Sequence, residues 1–255
     1  MCHDTGARPP LPPISGGAGD LAGSVELTAA DGNRLAAYSA TSSTPGGAGM
    51  VVLPDVRGLH PFYVDLVDRF ADAGIHATAF DYFGRTAGAA LRDAGFDYTP
   101  HVRQCRPDTV AADAAAAVAH VRSAEGGSAT SVFTVGFCFG GRNSFNLAAE
   151  GFRLAGVIGF YGFPAQLDEH DTSAPTLRAA DYTCPVLGLF GGADQGIPSS
   201  AIAAFRTALD AAKVPNEITV YDGAPHSFFD RTFERFAAES ADAWARMLAF
   251  VEANR

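Results

Sequence analysis

One cysteine, Cys138, lies in a sequence context that could make it a nucleophile. The stretch 131–150 reads SVFTVGFCFGGRNSFNLAAE: an apolar, β-rich run stops at Gly136, and a segment of helical composition begins after Gly141. Glycines on both sides of a sharp strand-to-helix turn tolerate its strain and let helix and strand pass closely. A thiol at a helix start lies near the positive end of the helix dipole, which favours the reactive thiolate. The alternative is that Cys138 is a small buried hydrophobic residue between two phenylalanines.

Two further reactive groups follow predicted strands later in the chain. Asp194 ends GGAD after the strand predicted at 184–190, and His226 lies in DGAPHSFFDR after the strand predicted at 217–221. A thiol nucleophile needs a base, and the base needs a carboxylate that holds its tautomer. Taken singly, Asp194 could be a turn or helix N-terminal residue and His226 a solvated loop residue. Their order after Cys138, nucleophile then acid then histidine, predicts a catalytic triad.

The elements that must position these groups alternate between strand and helix. The pattern predicts strands at 24–29, 34–39, 50–54, 75–80, 131–135, 154–160, 184–190 and 217–221, and helices at 61–73, 109–123, 199–212 and 233–252. A turn signal, Ala-Asp-Gly-Asn, makes the first two strands an antiparallel hairpin. Nearly continuous apolar strands separated by helices predict an α/β fold with a mostly parallel sheet covered on both faces. Ligands of such sheets bind at the carboxyl ends of the strands.

The charge and length of the chain restrict its class. It has 255 residues and a formal net charge of −10, from 18 basic and 28 acidic residues. This balance leaves no basic surface for phosphates or an anionic membrane, so we expect neither a nucleic acid nor a membrane as partner. The length fits one domain, predicted at 24–255, and the Pro/Gly-rich residues 1–23 are predicted to be a flexible leader.

Cysteine usage and the N-terminus indicate the compartment. The four cysteines are far apart and lack the spacing of zinc ligands, so we expect neither a metal site nor disulfides, in a reducing compartment. The N-terminus has no charged segment followed by an apolar one, and no stretch approaches the length of a membrane span. These features predict a cytoplasmic protein. They make no prediction of its oligomeric state.

Four motifs together resemble the dienelactone hydrolase family of α/β-hydrolases. They are GFCFGG around Cys138, GGAD ending at Asp194, PHSF around His226, and IHATAFDYFGR at 75–85. The resemblance covers the chain from about Ser24 onward. It implies an α/β-hydrolase fold in which the cysteine attacks an ester or lactone carbonyl and water cleaves the resulting acyl-thioester, with no metal or organic cofactor.

The expected function is therefore hydrolysis of small carboxylic esters or lactones, with or without a carboxylate on the substrate. The alternative is a non-hydrolytic protein on the same scaffold that binds a small carboxylate or senses oxidants through Cys138. An intact set of Cys138, Asp194 and His226 favours the enzyme, because a binding module does not need all three.

Stabilisation of the oxyanion requires two aligned N–H donors. The residue after the nucleophile, Phe139, is one candidate, and the resemblance implies Val56 as the other. Tyr161, at the end of another predicted strand, is a candidate for lining the pocket, although an aromatic residue that caps the strand explains it nearly as well.

The resemblance also implies three charged residues near the substrate. Asp55 stands where the family has a glutamate that helps to generate the thiolate, but its side chain is one methylene shorter, and a structural turn role is the alternative. Arg85 matches an arginine that binds the substrate carboxylate. Arg231 is displaced by one residue from a second family arginine, because HSFFDR has an extra residue. Either arginine could instead be a solvated or ion-paired surface group.

Overall fold

The computed structural model describes residues 8–9, 22–43, 45–93 and 95–255. The predicted leader, 1–23, lies outside the described residues except for Arg8, Pro9, Ala22 and Gly23. The first strand, β1 (Ala22–Thr28), begins before the predicted start at residue 24. It pairs with β2 (Arg34–Ala40) in the predicted antiparallel hairpin, whose turn is closed by the Gly32 N–H donating to the Ala29 carbonyl.

The described residues form one eight-stranded sheet with the order β1-β2-β4-β3-β5-β6-β7-β8. After the hairpin, its strands are β3 (Ala48–Leu53), β4 (His76–Phe80), β5 (Ser131–Phe137), β6 (Gly156–Phe160), β7 (Val186–Gly191) and β8 (Asn216–Tyr221). Strand β2 pairs antiparallel with β4, and all pairs from β4 to β8 are parallel. The predicted mostly parallel sheet with an N-terminal hairpin is confirmed.

Burial explains why the central strands read as apolar runs. Every residue of β3, β4, β6 and β7 is buried, since helices cover both faces of a parallel sheet. The edge strand β8 has exposed positions and a mixed sequence. Hydrophobic contacts also join residues outside the sheet, for example Phe70 and Trp244, whose ring centroids are 5.2 Å apart.

The helices that cover the sheet follow the strands in chain order. They are α1 (Pro61–Asp72), α2 (Gly84–Ala87), α3 (Thr99–Val102), α4 (Pro107–Arg122), α5 (Phe139–Leu147), α6 (Pro175–Arg178), α7 (Ser199–Ala211) and α8 (Ala237–Asn254). Within the described ranges, no helix combines the length and the apolar character needed to cross a membrane.

The last helix begins later than its sequence predicts. We expect it from Phe233, but α8 starts at Ala237, and turns occupy the preceding residues. Phe228 and Phe229 are fully buried in the core, and the Phe228 carbonyl accepts a hydrogen bond from the Ser240 hydroxyl. Tertiary anchoring of this segment outweighs its local helical propensity, which is a weak determinant.

Candidate active site

Cys138 lies at the apex of the turn between β5 and α5. Its backbone has φ 56° and ψ −111°, a left-handed conformation that is strained for a residue with a side chain. Two backbone contacts hold it there: the Cys138 N–H donates to the Phe160 carbonyl at 3.0 Å, and the Cys138 carbonyl accepts from the Arg142 N–H at 3.1 Å. The half-buried residue caps the N-terminus of α5, where the helix dipole favours a thiolate.

The glycines around Cys138 allow the backbone of α5 to approach the backbones of β5 and β3 closely. A Cβ on Gly136 would lie 1.9 Å from the carbonyl oxygen of Gly140, and one on Gly140 would lie 2.1 Å from that of Leu53. Both distances are shorter than any real contact, and the obstacle is backbone that cannot move aside. The glycine pattern is therefore a steric requirement of the turn.

His226 is held by Asp194 across two loops. Nδ1 of His226 lies 2.6 Å from Oδ2 of Asp194, whose carboxylate is almost fully buried. The other oxygen, Oδ1, accepts the Gly196 N–H at 2.8 Å. A carboxylate accepts from a protonated Nδ1, so the unprotonated nitrogen of the neutral imidazole is Nε2, the tautomer that a general base needs.

Cys138 and His226 line the same cavity, which has a volume of about 450 Å³. Its walls combine residues predicted from the sequence with others that were not predicted: Val56, Cys138, Phe139, Arg142, Tyr161, Phe163, Leu167, Gly196, Ile197 and His226. Asp194 lies behind His226 and does not line the cavity itself. The structure thus brings together residues from five separate loops or helix starts at the carboxyl edge of the sheet.

The two candidate oxyanion donors, Val56 and Phe139, both line this cavity. Phe139 is the first residue of α5, so its N–H has no acceptor within the helix. Val56 lies in the loop that follows β3. Their role as donors stays a prediction.

Tyr161 is fully buried beside His226, with ring centroids 4.9 Å apart. Its backbone is strained, with φ 39°, and its N–H donates to the Leu189 carbonyl at 2.8 Å. Tyr161 thus contributes to the cavity wall and directly follows β6.

Asp55 forms a buried ion pair with Arg57. Nη2 of Arg57 lies 2.6 Å from Oδ2 of Asp55, and the Arg57 N–H donates to Oδ1 at 2.8 Å. Burial opposes ionisation of the Asp55 carboxyl, but interactions with His60 and Arg57 outweigh it, so its pKa lies well below the usual range. Asp55 stabilises the turn next to Val56 and does not itself line the cavity. Proton transfer by Asp55 stays a prediction.

Arg85 is placed away from Cys138. Its guanidinium lies 2.6 Å from a carboxylate oxygen of Asp31 and 2.8 Å from one of Asp113, next to β1 and β2. The cavity wall contains no atom of Arg85. The structure therefore does not bring this predicted carboxylate ligand to the candidate site, because two acidic residues distant in sequence hold it elsewhere.

Arg231 also lies outside the cavity wall, and its backbone N–H donates to Oδ1 of Asp230 at 2.5 Å. Asp230, the residue directly before Arg231, is buried. Burial, followed by the negative charge of Asp55, raises the pKa of Asp230 to about 6. Asp230 thus adds a carboxyl group close to the Asp55–Arg57 pair.

Arg142 was missed in the sequence, although it follows the two glycines of the turn. It lies on α5, lines the cavity and donates from Nη1 to the carbonyls of Phe163 (2.8 Å) and Ala165 (2.7 Å). Its Nη2 pairs with Asp171. These bonds attach the 163–171 segment to α5, so Phe163 and Leu167 form part of the wall. An arginine directly after a glycine pair was the only available signal.

Groups of three or more His, Cys, Asp or Glu side chains arranged for a metal ion do not occur in the described part of the chain. The two other cysteines that the structure describes, Cys105 and Cys184, are far from a reactive state, because burial raises the pKa of each thiol to about 12.

Comparison with known proteins agrees with this architecture. The sequence model of the dienelactone hydrolase family matches residues 35–254. A Salmonella typhimurium protein provisionally named a carboxymethylenebutenolidase is 32% identical over 256 residues, which cover 96% of this chain and 94% of that protein. An Escherichia coli K12 protein with the same provisional name is 31% identical over 222 residues, covering 85% and 82%.

A crystal structure from Klebsiella pneumoniae subsp. pneumoniae, of a protein provisionally named a dienelactone hydrolase, superposes with a TM-score of 0.78. It is 28% identical in sequence and covers 91% of this chain and 98% of its own. The shared architecture is the α/β-hydrolase fold, which confirms the predicted fold class.

Proposed function

Because the chain belongs to the dienelactone hydrolase family, we propose that it hydrolyses small carboxylic esters or lactones through Cys138, His226 and Asp194. One observation carries the proposal: Cys138, at a strained turn, and His226, bonded to Asp194 at 2.6 Å, line one cavity. A cavity of about 450 Å³ suits a small molecule.

The reaction begins with proton transfer from the Cys138 thiol to Nε2 of His226, and the thiolate attacks the carbonyl carbon of the substrate. The Asp194 carboxylate stabilises the imidazolium that forms. The backbone N–H groups of Phe139 and Val56 stabilise the oxyanion, an interaction in which one donor typically contributes about 10² to 10³ in rate.

Collapse of the tetrahedral intermediate breaks the bond to the alkoxide, which takes the proton from His226 and leaves as an alcohol. For a lactone, the alcohol stays on the acyl chain. His226 then removes a proton from water, the hydroxide attacks the thioester carbon, and the carboxylic acid is released as the sulfur leaves and recovers its proton. His226 thus acts as base and acid in turn, Asp194 stays ionised, and the enzyme returns to its starting state.

The test compares wild type with Cys138→Ala and Cys138→Ser on 4-nitrophenyl acetate and γ-butyrolactone. We expect Cys138→Ala to lose turnover of both substrates while circular dichroism and melting temperature are retained. Cys105→Ala is the matched thiol control, because Cys105 does not line the cavity, and it should keep wild-type turnover. Full activity of Cys138→Ala, or tight binding by wild type without hydrolysis of a broad ester and lactone panel, would overturn the proposal.

A further inference from the structure

Among the residues that the structure describes, the wall of the candidate site offers no cation that is available to a substrate carboxylate. Six of the residues that line this wall are apolar or aromatic: Val56, Phe139, Tyr161, Phe163, Leu167 and Ile197. The permanently charged residue among the described lining residues is Arg142. What Arg142 contacts therefore decides whether the site can bind an anion.

The guanidinium of Arg142 is already engaged by the protein. Nη1 donates to the carbonyls of Phe163 at 2.8 Å and Ala165 at 2.7 Å, and Nη2 pairs with Asp171. The side chains of Arg142 and Asp171 are only 10% and 9% exposed, so the charges neutralise each other within the wall. A substrate carboxylate would have to displace a buried carboxylate that also accepts from the Leu167 and Ser173 N–H groups.

Other arginines near the site are also occupied. Arg57, next to the candidate oxyanion donor, is paired with buried Asp55, and Asp230 adds a second carboxyl group nearby. Arg85 is held by Asp31 and Asp113 outside the cavity. Arg85, to which the family resemblance assigns carboxylate binding, is therefore not positioned to bind a substrate carboxylate in this cavity.

From these contacts we propose that the site selects esters or lactones whose acyl part is uncharged and apolar, and discriminates against acyl groups that carry a free carboxylate. This inference rests on the proposed function. An acyl chain gains by leaving water for the apolar wall, whereas a carboxylate loses hydration without a new counter-ion. The net charge of −10 also lowers the encounter rate with anions.

The test uses 4-nitrophenyl hexanoate and mono-4-nitrophenyl adipate. The two esters have acyl chains of the same length, but the hexanoate chain ends in a methyl group and the adipate chain in a carboxylate. Release of nitrophenol is followed at pH 7.5, with hydrolysis in the absence of enzyme subtracted. We expect kcat/KM of wild type to favour the hexanoate by about tenfold or more, since an unpaired charge is being desolvated.

Two arginine variants test whether the wall sets this preference. Leu167 lines the cavity and is 70% exposed, so Leu167→Arg brings a guanidinium to the rim without opening a void. It should lower the hexanoate-to-adipate ratio by about fivefold or more. Leu177 is 55% exposed and does not line the cavity, so Leu177→Arg adds the same charge elsewhere and should change the ratio less than about twofold.

Equal rates for the two esters, or a preference of wild type for the adipate, would overturn this inference while leaving the hydrolase proposal intact. An unchanged ratio in folded Leu167→Arg that still cleaves the hexanoate would also overturn it. Cleavage of neither ester by wild type would instead contradict the proposed function.

Discussion

His226 donates from Nδ1 to Oδ2 of Asp194 across 2.6 Å, and the same carboxylate accepts the Gly196 N–H through its other oxygen at 2.8 Å. One buried carboxylate therefore orients the imidazole and also anchors the loop after β7. Because the two oxygens have separate partners, the orientation of His226 can be tested without removing the loop contact.

Asp194→Asn should lower kcat for ester hydrolysis by about 10³ to 10⁴. The amide oxygen can keep the bond from the Gly196 N–H, but the NH2 group would face Nδ1 and favour the tautomer protonated on Nε2, which cannot act as a base. Steady-state kinetics and a melting curve measure the effect. Asp222→Asn, at an exposed position after β8, is the control and should keep wild-type kcat. An unaltered kcat in Asp194→Asn would contradict the assigned role.

Alkylation should separate Cys138 from two other cysteines. Burial raises the pKa of the Cys105 and Cys184 thiols to about 12, whereas Cys138 is half-buried at the start of α5. At pH 7, iodoacetamide should label Cys138 before either of them. Peptide mapping by mass spectrometry over a time course measures the three rates, and denatured protein, in which they should become similar, is the control. Faster labelling of Cys105 or Cys184 in the folded protein would refute the expectation.

Arg142→Met should destabilise the protein by about 2 to 4 kcal/mol and raise KM for apolar esters. It removes the bonds to Phe163 and Ala165 and leaves the Asp171 carboxylate buried without its counter-ion. Urea unfolding gives the free energy and ester kinetics give KM. Arg106→Met breaks the pair with Asp108, in which both side chains are 68% exposed, and should change stability by no more than about 0.5 kcal/mol. Similar losses in the two variants would show that Arg142 has no special structural role.

The free energy of unfolding of Asp230→Asn, measured relative to wild type, should increase as the pH rises. The pKa of Asp230 is raised from 3.8 to about 6 in the fold, so between these values the folded state holds the proton more tightly than the unfolded state. The contribution of this carboxyl to stability is therefore present below about pH 4 and is lost as the pH rises through about 6. Asparagine does not titrate, so its stability relative to wild type should increase by up to roughly 3 kcal/mol between pH 4 and pH 7.

Urea unfolding of wild type and Asp230→Asn at the two pH values measures this change. The control is Asp108→Asn, at an exposed position where the hydrogen bond from Arg106 lowers the pKa of the carboxyl. The free energy of unfolding of Asp108→Asn relative to wild type should decrease slightly as the pH rises, because the fold favours the ionised form of Asp108. A pH-independent difference for Asp230→Asn would contradict the raised pKa.

Local sequence was sufficient to predict the Cys138 turn and most strands. The requirement for glycine at 136 acts between residues a few positions apart, because the obstacle is Gly140, and the apolar runs of β3 to β7 directly reflect burial on both faces. Cys138, Asp194 and His226 each follow a predicted strand, so the sequence also predicts that they lie at the carboxyl edge of the parallel sheet.

Side chains whose partners are distant in sequence could not be predicted. Arg85 pairs with Asp31 and Asp113, so its separation from the cavity depends on where β1 and α4 pack. Arg142 becomes part of the wall only because the 163–171 segment folds back onto α5. The start of α8 was likewise moved by the burial of Phe228 and Phe229.

The sequence by itself determined the family, the fold class and the positions of the candidate nucleophile, base and acid, because these depend on local patterns and chain order. Only the tertiary structure decided which charges face the cavity and which are neutralised elsewhere. The physical reason is that an ion pair depends on distance in space, and packing sets that distance between residues that no local pattern connects.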